Sequence, residues 1–376
     1  MNRSDENEKG YETFGCQVVK AGGKDASSQP LPHYPRAANW MSTVDDETLL
    51  SAMTLPGTHD SAASIDSWPF VQTQKLDIPQ QLNAGIRYFD LRCGIRDDIV
   101  EMVHGPSFLG ITLRTLLDTM YVWLSAHKTE ALIVQIKQDR KAERSSIHFA
   151  QAIWTCLEKK SAHWRTANTT PALGELRGKI QLLRRFVGSS LTAYGIDVTH
   201  WQDNPSRPFT IYTRHEVRIT IQDHYSFPGP EALPSLISKK GRDVAELLDR
   251  AVADQDACHW YINFVSAYEF NFYYQLTPQE IALGGWVRFK WAHGMNIRLR
   301  NYLQTRKSKR RYGIVAMDFP ESGTEDLIAT LILSNFSGAK HSRLCWTLDW
   351  DVTIILLMLC FSVLAVFAWL STRESP

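Results

Sequence analysis

Residues 86–92 read IRYFDLR, and this stretch decides the fold class. Aromatic and β-branched residues favour an extended strand, on which successive side chains point to opposite faces. Phe89 and Leu91 then share one face, whereas Asp90 and Arg92 share the other. Because a carboxylate and a guanidinium side by side do not suit an apolar core, the segment predicts a strand with a polar cavity on one side.

Similar strand-like segments recur along the chain and alternate with helix-like ones. Further strands are predicted at 130–137, 179–186, 219–223, 259–266 and 312–318, and helices at 112–127, 145–158, 243–252, 294–305 and 326–334. This alternation indicates an α/β fold with a mostly parallel sheet and crossover helices. Its extent over about 300 residues predicts an irregular (β/α)8 barrel of the TIM type.

Charged residues stand at the ends of these predicted strands, namely Arg92, Lys137, Arg184, Arg185, Asp223 and Asp318. In a parallel barrel, the carboxyl ends of the strands line the mouth in which ligands bind. Charged side chains at these positions would be costly to bury in an apolar core. They predict a polar cavity that can hold a phosphate group.

The composition excludes some classes of function. Lysine and arginine total 41 and the acidic residues total 40, which gives a formal net charge of +1. Nucleic-acid-binding proteins usually carry a strong excess of positive charge. This chain does not, so we expect no nucleic-acid partner. The six cysteines contain no CxxC pair and stand at no metal-site spacing from a histidine. We therefore expect no zinc site and no dense disulfide framework, while one structural disulfide stays open.

The two ends of the chain differ from the segment between them. Residues 1–35 are polar and aperiodic, and they contain no apolar run that could act as an export signal. We expect a disordered leader there, the barrel at 36–340, a linker at 341–351 and a short tail at 371–376.

Residues 352–370 carry no charge, and Trp350 and Trp369 stand at the two ends of this run. A helix of about 19 apolar residues just crosses the hydrocarbon layer of a bilayer. The sequence therefore predicts a C-terminal transmembrane helix, that is, a single-pass tail anchor with the catalytic domain in the cytoplasm. A buried C-terminal helix and a glycolipid-anchor signal are the alternatives.

Two histidine motifs flank the IRYFDLR strand. Residues 53–62, MTLPGTHDSA, place His59 and Asp60 after a turn predicted at Pro56 and Gly57, and residues 102–106, MVHGP, place His104 at a strand end. Alone, a turn histidine beside an aspartate is more often a surface capping pair. Two histidines with an arginine and flanking carboxylates, however, suit the attack of an internal hydroxyl on a phosphodiester, which needs a base, an acid and a cation.

Taken in order, the HDS turn, the YFDLR strand and the HGP turn resemble the X-type catalytic domain of bacterial-like phosphatidylinositol-specific phospholipases C. The resemblance extends over roughly residues 51–320. It implies a general base at His59, a general acid at His104, a phosphate-binding Arg92, an aspartate beside the acid at Asp60 and an aspartate that orients the base at Asp318.

The resemblance also implies a substrate pocket of Lys137, Arg185, Asp223 and Tyr225. Arg184 and Arg185 are neighbours on one strand, so that only one can face the mouth, and the family pattern favours Arg185. Calcium-dependent relatives carry an acidic residue where this chain has Arg92. We therefore expect no metal and no other cofactor.

The implied reaction is the metal-independent cleavage of phosphatidylinositol to diacylglycerol and inositol 1,2-cyclic phosphate by a monomer at a phosphatidylinositol-containing membrane. Two alternatives remain. One is a catalytically silent, phosphoinositide-binding membrane protein on the same barrel. The other is a phosphodiesterase of a different phospholipid or of a glycosylated phosphatidylinositol.

Overall fold

The computed structural model describes residues 37–64, 70–188, 194–214, 217–227, 232–270, 275–305, 310–323 and 326–336. The predicted leader at 1–35, the linker at 341–351 and the tail at 371–376 lie outside these ranges. The domain limits therefore stay a prediction.

Sixteen strands lie in the described residues: β1 (Thr54–Thr58), β2 (Tyr88–Arg96), β3 (Ile99–His104), β4 (Ser107–Thr112), β5 (Leu132–Gln138), β6 (Trp164–Arg165), β7 (Ile180–Arg185), β8 (Ile196–Asp197), β9 (Phe209–Tyr212), β10 (Arg218–Gln222), β11 (Trp260–Phe264), β12 (Glu269–Phe270), β13 (Gln275–Leu276), β14 (Gly284–Val287), β15 (Lys290–His293) and β16 (Gly313–Met317).

The α-helices of the same residues are α1 (Ile78–Ala84), α2 (Leu113–Ala126), α3 (Phe149–Glu158), α4 (Leu173–Leu176), α5 (Leu233–Ala253), α6 (Pro278–Leu283), α7 (Met295–Gln304) and α8 (Leu327–Leu333). Short 3₁₀ helices cover Ala37–Thr43, Leu50–Ala52 and Ser161–His163. The strands and helices predicted from periodicity all find a counterpart here, with ends shifted by a few residues; α5 alone begins well before its predicted start.

A curled parallel sheet forms the centre of the fold. Seven strands follow the order β7-β5-β2-β1-β16-β11-β10, and each pairs in parallel with its neighbours. Their residues are buried almost throughout, as expected for a sheet that is covered on both faces. The predicted α/β architecture with a mostly parallel sheet is confirmed.

The predicted irregular (β/α)8 barrel is corrected to an open, curled sheet. At one edge, β9 pairs antiparallel with β10, and at the other, β6 and β8 both pair with β7. No ladder joins the two edges within the described ranges. The physical reason is local: between β7 and β10 the chain forms the two-residue β8 and the antiparallel β9 instead of one full parallel strand.

The turn that we predicted at Pro56 and Gly57 is also wrong, because both residues lie inside β1. Gly57 is required there by packing, since a Cβ atom at this position would lie 2.7 Å from Cδ1 of Tyr88 on β2. The chain bends only afterwards, at Asp60, whose φ is 42°. His59 therefore extends directly from the carboxyl end of a central strand.

A transmembrane helix is not supported. In the part of the chain that the structure describes, every helix is too short or too polar to cross a bilayer. This finding overturns the predicted location, a single-pass tail anchor with a cytoplasmic catalytic domain. The apolar run at 352–370 itself lies outside the described residues, and the length and hydropathy on which that prediction rested do not establish a span by themselves.

Candidate active site

The carboxyl edge of the sheet gathers the predicted site residues. His59 follows β1, Arg92 lies in β2, Lys137 in β5 and Arg185 at the end of β7, Asp223 follows β10, Asp318 follows β16, and His104 ends β3, which pairs antiparallel with β2. Since adjacent parallel strands end at one edge, residues far apart in sequence meet there. We call this edge the mouth.

His59 is held by two carboxylates. Its Nδ1 atom lies 2.8 Å from Oδ1 of Asp318, and its Nε2 atom lies 3.3 Å from Oδ2 of Asp60. Burial, followed by the positive charge of Arg92, lowers the pKa of His59 well below the ordinary 6.5. The imidazole is therefore neutral at neutral pH and can accept a proton.

His104 approaches the same aspartate from the other side. Its Nε2 atom lies 3.2 Å from Oδ2 of Asp60, and its Nδ1 atom lies 2.6 Å from the carbonyl oxygen of Val71. A carbonyl can only accept, so Nδ1 carries a proton and Nε2 is the atom that faces the mouth. The two imidazole centroids are 6.2 Å apart.

The two site aspartates are almost fully buried, and this changes their acidity. Desolvation raises the pKa of Asp60 to about 6, although the charges of Arg92 and His104 oppose the rise. Desolvation, followed by repulsion from Asp60, also raises the pKa of Asp318 well above its ordinary range. Burial therefore makes both carboxyl groups weaker acids than exposed aspartates.

Arg92 supplies a fixed positive charge beside the histidines. Its Nε atom lies 3.1 Å from Oδ1 of Asp60 and 3.3 Å from Oδ2 of Asp90. Burial lowers the pKa of Arg92, but the charges of Asp60 and Asp90 outweigh burial and raise it well above the ordinary value. Asp90 in turn accepts a hydrogen bond of 2.7 Å from Nε2 of Gln135.

A second group of polar residues lies beside this centre. Lys137 forms an ion pair with Asp139, and burial lowers the pKa of its ammonium group. Arg185 stacks over the ring of Trp201 at 4.1 Å, and its Nη2 atom lies 3.8 Å from Oδ2 of Asp223. Desolvation lowers the pKa of Arg185.

Arg184 points away from this group. Its Nη2 atom binds Oδ2 of Asp197 at 2.6 Å, and its Nη1 atom donates to the carbonyl of Phe186. Thus Arg185 is the neighbour that lies beside Asp223. Nη1 of Arg185 is buried and finds no hydrogen-bond acceptor among the described residues.

Tyr225 lies at the rim of the mouth. Its ring stacks on that of Tyr268 at 5.8 Å, with 13° between the planes, and its hydroxyl donates to Oδ1 of Asp203 at 2.7 Å. Asp223 accepts a hydrogen bond of 2.8 Å from Nε1 of Trp201, and desolvation raises the pKa of Asp223.

The sequence analysis missed several contributors to this site. Asp90 carried a signal, because strand alternation puts it on the same face as Arg92, yet we did not count it as a site residue. Trp201 and Asp139 gave no signal, since an isolated tryptophan and a single acidic residue are common everywhere. Within the described ranges, no three or more His, Cys, Asp or Glu residues are grouped as a metal site would require.

Comparisons with known proteins show what this chain is similar to. Residues 53–186 match the family model "Phosphatidylinositol-specific phospholipase C, X domain". The 1-phosphatidylinositol phosphodiesterase of Listeria monocytogenes is 26% identical over 324 residues, which cover 81% of this chain and 89% of the relative. The enzyme of the same name from Staphylococcus aureus strain Newman is 26% identical over 79% of this chain and 94% of its own length.

Solved structures share the fold. A pentafluoro-Phe-containing phosphatidylinositol-specific phospholipase C from Staphylococcus aureus superposes with a TM-score of 0.65 at 23% identity and covers 80% of this chain and 98% of its own. The phosphatidylinositol-specific phospholipase C of Listeria monocytogenes gives a TM-score of 0.58 at 25% identity, over 80% of this chain and 100% of its own. Residues 53–186 therefore carry the X domain of phosphatidylinositol-specific phospholipases C, and about 80% of the chain is similar to bacterial 1-phosphatidylinositol phosphodiesterases.

Proposed function

We propose that this protein cleaves phosphatidylinositol to diacylglycerol and inositol 1,2-cyclic phosphate without a metal ion. One observation carries the proposal: the Nε2 atoms of His59 and His104 lie 3.3 and 3.2 Å from the same carboxylate oxygen of Asp60, with the guanidinium of Arg92 beside it. The names of the relatives, which are 1-phosphatidylinositol phosphodiesterases, supply the substrate class.

The first step uses His59 as general base. Its neutral Nε2 accepts the proton of the inositol 2-hydroxyl while that oxygen attacks the phosphorus. The carboxylate of Asp318 accepts a hydrogen bond from Nδ1–H of His59 and stabilises the imidazolium that forms. The lowered pKa of His59 keeps the base unprotonated before attack.

The second step breaks the bond between the phosphorus and the glycerol oxygen. His104 and Asp60 act as a pair that delivers a proton to this departing oxygen, which leaves as the hydroxyl of diacylglycerol. The raised pKa of Asp60, about 6, supports proton exchange within the pair. General acid and general base contributions of this kind are each worth about 10²- to 10⁴-fold in rate.

Arg92 takes the place of a metal cation in this proposal. Its guanidinium is fixed by Asp60 and Asp90, and it would neutralise the charge that develops on the phosphoryl oxygens. This role supports metal-independent catalysis, because a permanent cation already stands beside the reacting group.

The inositol ring would lie over the second polar group. The guanidinium of Arg185 would donate to one ring hydroxyl, and the carboxylate of Asp223 would accept from another. Lys137 and the ring of Tyr225 would complete the pocket. These contacts favour inositol over headgroups without vicinal hydroxyls.

Turnover of phosphatidylinositol vesicles by the full chain in excess chelator tests the proposal. We expect ³¹P NMR to detect the cyclic phosphate with wild type and with His148→Ala, which removes an exposed histidine outside the mouth. His59→Ala should lose at least about 10²-fold in rate. Vesicle binding without product would favour the silent lipid-binding alternative, and product from a glycosylated phosphatidylinositol alone would favour a different substrate.

A further inference from the structure

A short hairpin next to the mouth exposes several large aromatic side chains. Strands β14 and β15 pair antiparallel, with Arg288 and Phe289 forming the turn between them. Phe289 is 95% exposed, Trp286 73% and Trp291 46%. Clusters of large aromatic side chains are rarely exposed to solvent, and where they are, they mark interaction surfaces. We call residues 284–293 the aromatic hairpin.

The two faces of the aromatic hairpin differ. Val287 and Ala292 pack against the hydrophobic core cluster that includes α5, α7 and α8. Trp286 and Trp291 stand opposite each other in the pairing register, and their rings meet edge to face at 5.8 Å. The protein therefore fixes one face of the hairpin and leaves the tryptophan pair to solvent.

Contacts at its base place the hairpin on the mouth side of the sheet. Gly294 ends the hairpin and caps α7, whose Asn296 donates to the backbone carbonyls of Asp318 and Phe319. Gly285 lies against Leu233, the first residue of the helix that follows β10. Both contacts are with segments that follow the carboxyl ends of strands.

The charge of the hairpin indicates which kind of surface it binds. Arg288 and Lys290 are exposed at its tip, and residues 284–293 contain no aspartate or glutamate. Tryptophan rings favour the headgroup region of a bilayer, and basic side chains are attracted to anionic lipids. A protruding phenylalanine flanked by cations therefore complements an anionic membrane surface better than a neutral or basic one.

We propose that the aromatic hairpin docks the protein on anionic phospholipid bilayers, with Phe289 and the tryptophan pair in the headgroup region and Arg288 and Lys290 on lipid phosphates. This inference deepens the proposed function and rests on it, because docking here turns the mouth towards a substrate that lies in the membrane. It assigns the contact to a segment outside the catalytic centre.

Vesicle co-sedimentation of the full chain in chelator tests the docking surface independently of turnover. The probes are phosphatidylcholine vesicles with and without phosphatidylserine, both free of phosphatidylinositol. We expect W286A/F289A and R288Q/K290Q each to weaken binding to the anionic vesicles by about tenfold or more. Tyr212→Ala is the matched control, because Tyr212 is a 72% exposed aromatic residue that pairs with the first residue of β10, at the opposite end of the sheet.

Three results would overturn the proposal: unchanged binding of both double variants, an equal loss for Tyr212→Ala, or equal wild-type binding to neutral and anionic vesicles. A fourth result would also overturn it: if wild type self-associates on size exclusion and the double variants do not, while their vesicle binding stays intact, the hairpin binds a second copy of the chain instead.

Turnover separates this inference from the proposed function. The double variants should lose activity on phosphatidylinositol vesicles but cleave a water-soluble, short-chain phosphatidylinositol at the wild-type rate. If wild type turns over neither substrate, the proposed function fails, whereas hairpin-dependent binding to phosphatidylserine vesicles would still support docking. An equal loss on both substrates would contradict a role in docking.

Discussion

The Nδ1 atom of His59 lies 2.8 Å from Oδ1 of Asp318, although 259 positions separate the two residues in sequence. Parallel pairing of β1 with β16 brings them together, since Thr58 is in register with Met317 and each strand continues directly into its site residue. The contact therefore follows from the sheet register.

Asp318→Asn should reduce kcat on a water-soluble, short-chain phosphatidylinositol by about 10²-fold or more, because an amide cannot stabilise the imidazolium of His59 as a carboxylate does. KM should change little, since Asp318 contacts the base and not the proposed inositol pocket. Steady-state kinetics of the variant measure both constants. Asp326→Asn, which alters an aspartate paired with Arg300, should retain wild-type kcat. A rise in KM alone for Asp318→Asn would place Asp318 in substrate binding instead.

Much of this site could be predicted from sequence because strand alternation and strand ends are local signals. The IRYFDLR pattern put Asp90 and Arg92 on one face, where the two side chains meet, and most of the charged residues at strand ends lie at the carboxyl ends of the sheet. The pairing of His59 with Asp318 had no local signal, because it depends on which strands become neighbours. Only the resemblance to phosphatidylinositol-specific phospholipases C predicted this pairing.

Other features lay beyond sequence reasoning for physical reasons. The open edge of the sheet depends on the two-residue β8, which is too short to leave a periodic pattern. The aromatic hairpin reads GGWVRFKWAH, and without structure its aromatics look like core residues. Pro56 and Gly57 form a typical turn pair, but close packing on Tyr88 keeps them in a strand.

The pH dependence of kcat/KM should show an acid limb with its midpoint below 6.5. His59 must be unprotonated to act as base, so activity is present above its pKa and lost as pH falls through it. Burial and the charge of Arg92 place that pKa well below 6.5. A pH series on the soluble substrate measures the limb.

Arg92→Gln should move this limb upwards, because it removes a positive charge that lowers the pKa of His59. Arg144→Gln, which alters an exposed arginine, should leave the limb in place. A wild-type midpoint above 6.5, or equal midpoints for wild type and Arg92→Gln, would contradict this assignment.

Arg92→Lys should lose about 10²- to 10³-fold in kcat although it keeps the charge. A lysine ammonium cannot reproduce the planar guanidinium that Asp60 and Asp90 hold in place. Excess chelator should leave wild-type turnover unchanged, and added calcium should not rescue the variant. Calcium-dependent turnover by wild type would refute the metal-free mechanism, and near-normal activity of Arg92→Lys would show that only the charge matters.

The ion pair between Arg87 and Glu130 should contribute strongly to stability and little to catalysis. Both side chains are fully buried, and Nη2 of Arg87 lies 2.7 Å from Oε2 of Glu130. The guanidinium also donates to the carbonyls of Leu82 and Ala38, so the pair joins α1 to the first 3₁₀ helix. Glu130→Gln leaves an uncompensated buried charge and should lower the free energy of unfolding by about 3–5 kcal/mol.

Urea unfolding followed by tryptophan fluorescence measures this change, and kcat at low temperature checks that the folded enzyme is intact. Glu175→Gln is the matched control, because Glu175 pairs with Arg165 but is largely exposed. Exposed pairs contribute at most about 1 kcal/mol, so the two variants should differ clearly. Equal losses would mean that the buried guanidinium finds sufficient compensation in the backbone carbonyls around it, and that the carboxylate is not what stabilises this part of the fold.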